Sequence, residues 1–291
     1  MSRTTVQVPT RLLVFGMTRA DHTIVPSEVM PVAEACGQSP DQIRSCLRRL
    51  VTEGLFLRRG SGRDAVYEAT PAGLAAMGST MERTRLAYVQ DAAGRGWDRQ
   101  WRLVGFAVPE RNRAARDAFR ERLLALGGSA VQGGLYVSPH PWHKDVRAEA
   151  DRLELSDQIT LATTDDLEVG GERDPRELAR RLWQLDELAS RYRRFTDTYG
   201  RIPAELTALR ERHERLADAT FLPLALGMAV AFSECFGRDP LLPPELLPRP
   251  WPGREARELT ARSRRQALAL RQANGLPPLF RLFDEAIEAL P

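Results

Sequence analysis

The stretch GQSPDQIRSCLRRLVTEGLFLRRGSGRDAVYEATPAG, residues 37–73, constrains this chain most, because it specifies a helix, its stop and a hairpin in direct succession. Ser39 can accept a hydrogen bond from the first free backbone amides, and Pro40 suits the first helical position. Gln42, three residues after Ser39, can reach back to complete a capping box. Gly54 supplies the left-handed residue usual just past a helix end. Between these limits Ile43, Cys46, Leu47, Leu50 and Val51 recur at helical spacing as one apolar stripe. The opposite face carries Arg44, Ser45, Arg48, Arg49 and Thr52. After Gly54 the period changes. LFLRRGSGRDAVYEAT reads as a strand, a turn on Gly60, Ser61 and Gly62, and a second strand through Val66 and Tyr67. Thr70 followed by Pro71 then opens another helix.

Charge singles out the same stretch. Residues 39–63 hold six arginines (44, 48, 49, 58, 59 and 63) against Asp41 and Glu53, a local excess of +4 in a chain whose net charge is only +3. An arginine face on a lone helix is ordinarily solvated surface. A capped helix, a glycine stop and a basic hairpin in series instead predict a winged helix-turn-helix bound to double-stranded DNA. Gln42, Ser45 and Arg48 then lie where base edges are read, and Ser39 at the helix start is a further candidate DNA contact. Arg44, Arg49, Arg58, Arg59 and Arg63 are placed to neutralise phosphate.

Length and composition bound the rest. A chain of 291 residues suits two or three domains, and 43% hydrophobic residues suffice for ordinary cores. No continuous run of about 18 apolar residues occurs, so no membrane span is expected. MSRTTVQVPTRLLVFGM lacks the small-residue cleavage pattern of a secretory leader. Three scattered cysteines support neither a disulfide framework nor a metal site, and Cys46 falls on the inward stripe. A cytoplasmic protein without cofactor or metal is the simplest expectation. An isoelectric point near 9.0 tolerates a polyanionic partner.

The expected fold class is α+β in three blocks. Residues 1–90 form the winged unit, with TRLLVFGMTRA as a first helix and VPSEVMPVAEACG as a second that ends at Gly37 and holds Pro31 in its first turn. TPAGLAAMGSTMERTRLAYVQ leads out of that unit as a helix suited to connect domains or join a dimer. Residues 91–173 read strand, helix, two strands, helix, strand, the ferredoxin-like order, which by itself gives no function. From 174 to 291 the chain is mostly helical. Leu178, Leu182, Leu185 and Leu188 point to a core, and DPLLPPELLPRPWPG is expected to wrap the surface before a last helix over 254–272.

RSCLRRLVTEGLF, the wing ending in ATPAG, the pair Trp97 and Trp101, and the segment LPPELLP followed by WPG stand in an order that resembles the PaaX-type family of phenylacetate-catabolism repressors. The likeness runs along nearly the whole chain and is loosest at VFGMTRADHTIVPSEVM. It implies a homodimeric transcriptional repressor released from its operator by an aryl-CoA thioester. By the same resemblance Arg44 and Arg49 match positions that the family keeps basic.

Such an effector needs basic groups beside apolar walls. RRLWQLDELASRYRRF offers Arg180, Arg191 and Arg194 beside Trp183 and Tyr192, although an amphipathic helix with an aromatic inner stripe gives the same pattern. A pocket between the middle and C-terminal domains is equally open, as is a C-terminal half that binds a partner protein. Catalysis is the weaker reading. Ser138, His140, His143 and Asp145 lack a nucleophile elbow. A ferredoxin-like nuclease would find only Glu110 past its first strand, and Asp165, Asp166 and Glu168 lack a histidine.

Overall fold

The protein is described by a computed structural model over residues 9–272 and 277–282, apart from the Arg63 side chain. The fold is α+β. Its described residues fall into two compact units, one within 1–88, 193–236 and 254–291 and the other within 89–192 and 237–253.

In the first unit α1 (Thr10–Gly16), β1 (Thr23–Ile24), α2 (Pro26–Ala35) and α3 (Pro40–Thr52) precede the hairpin of β2 (Phe56–Arg59) and β3 (Val66–Ala69). The sheet has the order β1-β3-β2 and is antiparallel throughout. Strand β1 escapes the sequence reading because two residues are too few to show a period. α2 starts at Pro26, so Pro31 lies inside the helix and not in its first turn. The early start follows from Pro26 itself, whose fixed φ suits the first helical position. Arg19 clasps Glu28 with bonds of 3.2 and 2.6 Å, and this bond, with the charges of Arg19 and Arg281, holds the Glu28 carboxyl below its usual range.

α3 ends as its chemistry predicts. The Ser39 amide donates to Gln42 Oε1 at 2.7 Å and the Gln42 amide to Ser39 Oγ at 3.3 Å, a closed capping box. Gly54 takes φ of +72°, and the Leu55 amide bonds the Leu50 carbonyl at 3.0 Å. The helix α4 (Pro71–Ala93) is moored to this corner. Thr70 Oγ1 donates to the Gly54 carbonyl at 2.6 Å and accepts the Gly73 amide at 3.1 Å, while the Thr70 amide reaches the Leu55 carbonyl at 3.0 Å. Gly73 allows the approach, since a β-carbon there would stand 2.1 Å from the Leu55 carbonyl oxygen.

The second unit centres on a four-stranded antiparallel sheet. β4 (Trp101–Phe106), α5 (Arg113–Ala125), β5 (Ser129–Gln132), β6 (Leu135–Ser138), α6 (His143–Arg152) and β7 (Ile159–Thr164) follow in the expected ferredoxin-like order, and the sheet order is β5-β6-β4-β7. Phe119 and Leu123 of α5 and Val146 and Ala150 of α6 cover Val104 and Tyr136 of the sheet. A separate cluster joins Trp101 and Val137 to Leu178 of α7 (Pro175–Leu182) and Leu185 of α8 (Leu185–Tyr199). The proline-rich stretch belongs to that cluster. Leu242 and Leu246 are 1% exposed, so the segment is core and not a surface wrap. Its prolines remove backbone donors, which lets an irregular segment be buried with fewer unsatisfied groups.

The remaining elements, α9 (Ile202–Glu211), β8 (Leu216–Ala217), α10 (Asp218–Phe236), α11 (Pro252–Leu270) and β9 (Arg271–Gln272), return the chain to the first unit. Phe221, Leu222 and Leu226 of α10 and Leu270 of α11 share one core with Leu13, Val29, Leu47 and Phe56. Among the described residues α10 is a helix long and apolar enough to cross a membrane, with mean hydropathy 1.6 over 18 residues, and here it supplies core side chains. Arg271 pairs with Asp218 where both side chains are buried, and its guanidinium lies 5.0 Å over the Phe221 ring.

Candidate nucleic-acid interface

The apolar stripe of α3 fixes which face turns outward. Ile43, Cys46, Leu47 and Leu50 are at most 1% exposed, so Asp41, Gln42, Arg44, Arg48, Arg49 and Thr52 must face solvent, with Ser45 half-buried between them. At 1.5 Å per residue the exposed ridge from residue 41 to 52 runs roughly 16 Å. The next turn of chain, β2, keeps Leu57, Arg58 and Arg59 exposed.

The nine residues singled out in the sequence are not equivalent. Ser39 and Gln42 spend their side-chain oxygens on the capping box, which leaves Gln42 its amide donors. Arg44 is held by Asp41 at 2.7 Å and Arg59 by Glu68 at 3.0 Å. Glu53, the other carboxylate of the stretch, is taken by Arg11 at 2.6 Å from α1. Arg49 sits beside the Cys46 thiol, which burial pushes above its ordinary value while the Arg49 and Arg11 charges pull it back. Arg48 and Arg58 are exposed and form no ion pair among the described residues. The Arg63 side chain lies outside the described residues; its backbone belongs to the short 3-10 turn Gly62–Asp64 at the hairpin tip.

The residues considered for an effector are dispersed by their partners. Arg180 faces Asp186 at 2.9 Å, Arg191 faces Glu187 at 2.6 Å, and Arg194 is exposed. Trp183 stacks on Trp101 with centroids 6.2 Å apart and donates to the Gly127 carbonyl at 3.0 Å. Tyr192 is wholly buried and donates to Asp239 at 2.7 Å. Both aromatics thus serve the interior of the second unit, a role their sequence spacing shares with a ligand wall. Among the groups weighed for catalysis, the His140 ring meets the Pro240 carbonyl at 3.0 Å, and burial lowers His143. Glu110 is bound by Arg116 at 2.7 Å, while Arg173 neutralises Asp166 and Glu168.

Two family models match the chain: the PaaX protein central Cas2-like domain over residues 94–179 and the PaaX-like protein C-terminal domain over 183–273. The chain belongs to the PaaX family. A curated relative, the transcriptional repressor PaaX of Escherichia coli strain K12, is 24% identical over 226 residues, which cover 78% of this chain and 68% of the relative. A solved structure, the uncharacterized protein Rv0674 from Mycobacterium tuberculosis, is similar with a TM-score of 0.48 and 20% identity, over 84% of this chain and 90% of that one. The central match spans the ferredoxin-like sheet of this PaaX-family chain, and the arginine-bearing helix lies before it.

Proposed function

We propose that this chain is a sequence-specific, DNA-binding transcriptional regulator, a cytoplasmic repressor without catalytic activity. The observation that carries the reading is the outer face of α3, whose Arg48 forms no ion pair among the described residues and stands beside an arginine-rich hairpin. On this reading residues 1–90 are a winged helix domain: α3 enters the major groove, whose width of about 12 Å accepts a helix, and β2 and β3 form the wing. Arg48, Ser45 and the Gln42 amide read base edges. Arg44, Arg49, Arg58, Arg59 and Arg63 meet phosphate. The name of the Escherichia coli relative and the family membership support a repressor. The homodimer and the release by an aryl- or acyl-CoA thioester follow from the family resemblance. Exposed Leu74, Leu86 and Val89 on α4 are consistent with a contact between copies.

Mobility shifts on the promoter regions of its own and adjacent genes test the reading. Arg48→Ala should relax sequence preference, weakening operator binding by about 1–3 kcal/mol and random duplex much less. Arg58→Ala should weaken both alike. Equal losses on operator and random duplex for Arg48→Ala would refute the division of roles, and no shift on any promoter fragment would refute the regulator. Adding candidate thioesters to the same assay tests release. In parallel, a ligand at 100 times its dissociation constant should add about 2.7 kcal/mol of stability.

A further inference from the structure

A hollow of about 450 Å³ lies in the first unit between α9, the loop that enters β8, and the last turns of α11. Its walls follow from how α9 stops. The His213 amide reaches the Arg210 carbonyl at 3.1 Å and the Glu214 amide the Leu209 carbonyl at 3.0 Å, the two bonds of a Schellman turn. His213 takes the left-handed position of that turn, with φ of 58° where glycine is usual. β8 then pairs in parallel with β9, Leu216 opposite Arg271, which brings Arg215 against the end of α11. There Arg215 Nη1 donates to the Ala269 carbonyl at 3.2 Å, an acceptor that a helix terminus leaves without an intrahelical partner.

Three guanidinium groups from three elements thereby share one hollow: Arg210 of α9, Arg215 of the loop and Arg265 of α11. Arg210 and Arg265 are exposed and form no ion pair among the described residues. The carboxylate on the wall, Glu214, is held by Arg212 at 2.7 Å. Earlier on α11, by contrast, Arg254 has Glu258 at 2.9 Å. Gathered like charges repel, and an anion seated among them removes the repulsion. Leu206 and Leu270 of the wall belong to the core, which fixes the shape of the hollow from inside. The Thr207 hydroxyl is turned onto the Pro203 carbonyl at 2.9 Å, so the arginines are left as the recognising groups.

We propose that this hollow binds a compact polyvalent oxyanion, a di- or tricarboxylate or a diphosphate, with its oxygens shared among Arg210, Arg215 and Arg265. One carboxylate has two oxygens and suits one guanidinium fork. Drawing on three forks takes two or more anionic groups on a short skeleton. The volume falls within the range of about 300–1,000 Å³ usual for small-molecule sites. A nucleotide is the wrong class. Among the described residues the wall offers no aromatic ring besides the His213 imidazole, which leaves a purine only one small face to stack on.

Calorimetric titration of the full-length protein with citrate, pyrophosphate and propionate tests the site. The salt is kept at about 0.15 M, where exposed charges are screened beyond about 8 Å. Heat of binding is the readout because kosmotropic anions raise melting temperatures by exclusion alone. Citrate or pyrophosphate should bind once per chain with a dissociation constant below about 1 mM, and propionate should not. Which of the two binds more tightly separates a carboxylate ligand from a phosphate one. Arg210→Gln and Arg265→Gln should each weaken that binding about tenfold or more, the worth of a charge-assisted hydrogen bond. Arg262→Gln, exposed on the same helix but off the wall, should leave it unchanged. If one wall variant does not fold, the other decides. Silence of both polyanions, equal binding of propionate, or undiminished affinity in a folded wall variant overturns the proposal. A loss in Arg262→Gln as large as in the wall variants overturns it too, because the binding would then be diffuse surface charge.

Discussion

Alanine at Gly73 and alanine at Gly78 should move stability in opposite directions, although both glycines lie in α4 five residues apart. Each substitution gains the same backbone contribution, about 1 kcal/mol in favour of alanine within a helix. They differ in what the new methyl meets. At Gly78 nothing lies within 4 Å. At Gly73 the β-carbon would stand 2.1 Å from the Leu55 carbonyl oxygen and 3.1 Å from its carbon. A carbon and an oxygen rest at about 3.3 Å or more, so the two backbones must part by roughly 1.2 Å. The Leu55 carbonyl cannot simply swing away, because it accepts the Thr70 amide at 3.0 Å. Parting the elements also strains the bond from Thr70 Oγ1 to Gly54. Two hydrogen bonds at about 1 kcal/mol each, with overpacking at about 1–3 kcal/mol, outweigh the helical gain. The expected net loss is about 2–4 kcal/mol for Gly73→Ala, against a gain of about 1 kcal/mol for Gly78→Ala. Urea midpoints of the full-length variants, with the slope checked for constancy, read the difference. An equal gain at both positions would refute the close approach of α4 to the corner after α3.

Arg271→Met should cost about 3–5 kcal/mol in the same assay, because it strips the counter-ion from buried Asp218, whereas Arg265→Met on the exposed side of α11 should stay within about 0.5 kcal/mol. Glu28 carries a lowered folded-state pKa, so the stability it adds is present above its ordinary value of 4.5 and is lost as pH falls through the lowered one. Melting temperatures of wild type should accordingly exceed those of Glu28→Gln above pH 4.5 and converge with them in acid; a gap that persists in acid contradicts the ion pair with Arg19. Asp41→Asn should tighten DNA binding and steepen its salt dependence by about 0.9 per phosphate gained, since it releases Arg44; a salt-titrated mobility shift with unchanged slope would count against Arg44 as a phosphate contact.

What could be read from the sequence is what local chemistry decides. The capping box of α3, its Gly54 stop and the order of the ferredoxin-like strands depend on neighbours a few residues away. The proline-rich segment was misread because prolines suggest an exposed turn, while the burial of Leu242 and Leu246 depends on Trp101, far back in the chain. Tyr192 looks equally fit for a ligand or for a core until Asp239 is placed beside it. On α3 the apolar stripe named the exposed face, but only coordinates separate Arg48, which forms no ion pair among the described residues, from Arg44, already claimed by Asp41.

The core that carries α3 is completed by Phe221, Leu226 and Leu270. A ribosome delivers the amino end first, so the arginine-bearing segment emerges well ahead of the side chains that must close beneath it. A nascent or prematurely terminated polypeptide would therefore hold bare leucine and valine surface where the finished molecule has an interior. The gene's last third is thus a condition for a closed core beneath α3, and shortened products should be cleared by proteases.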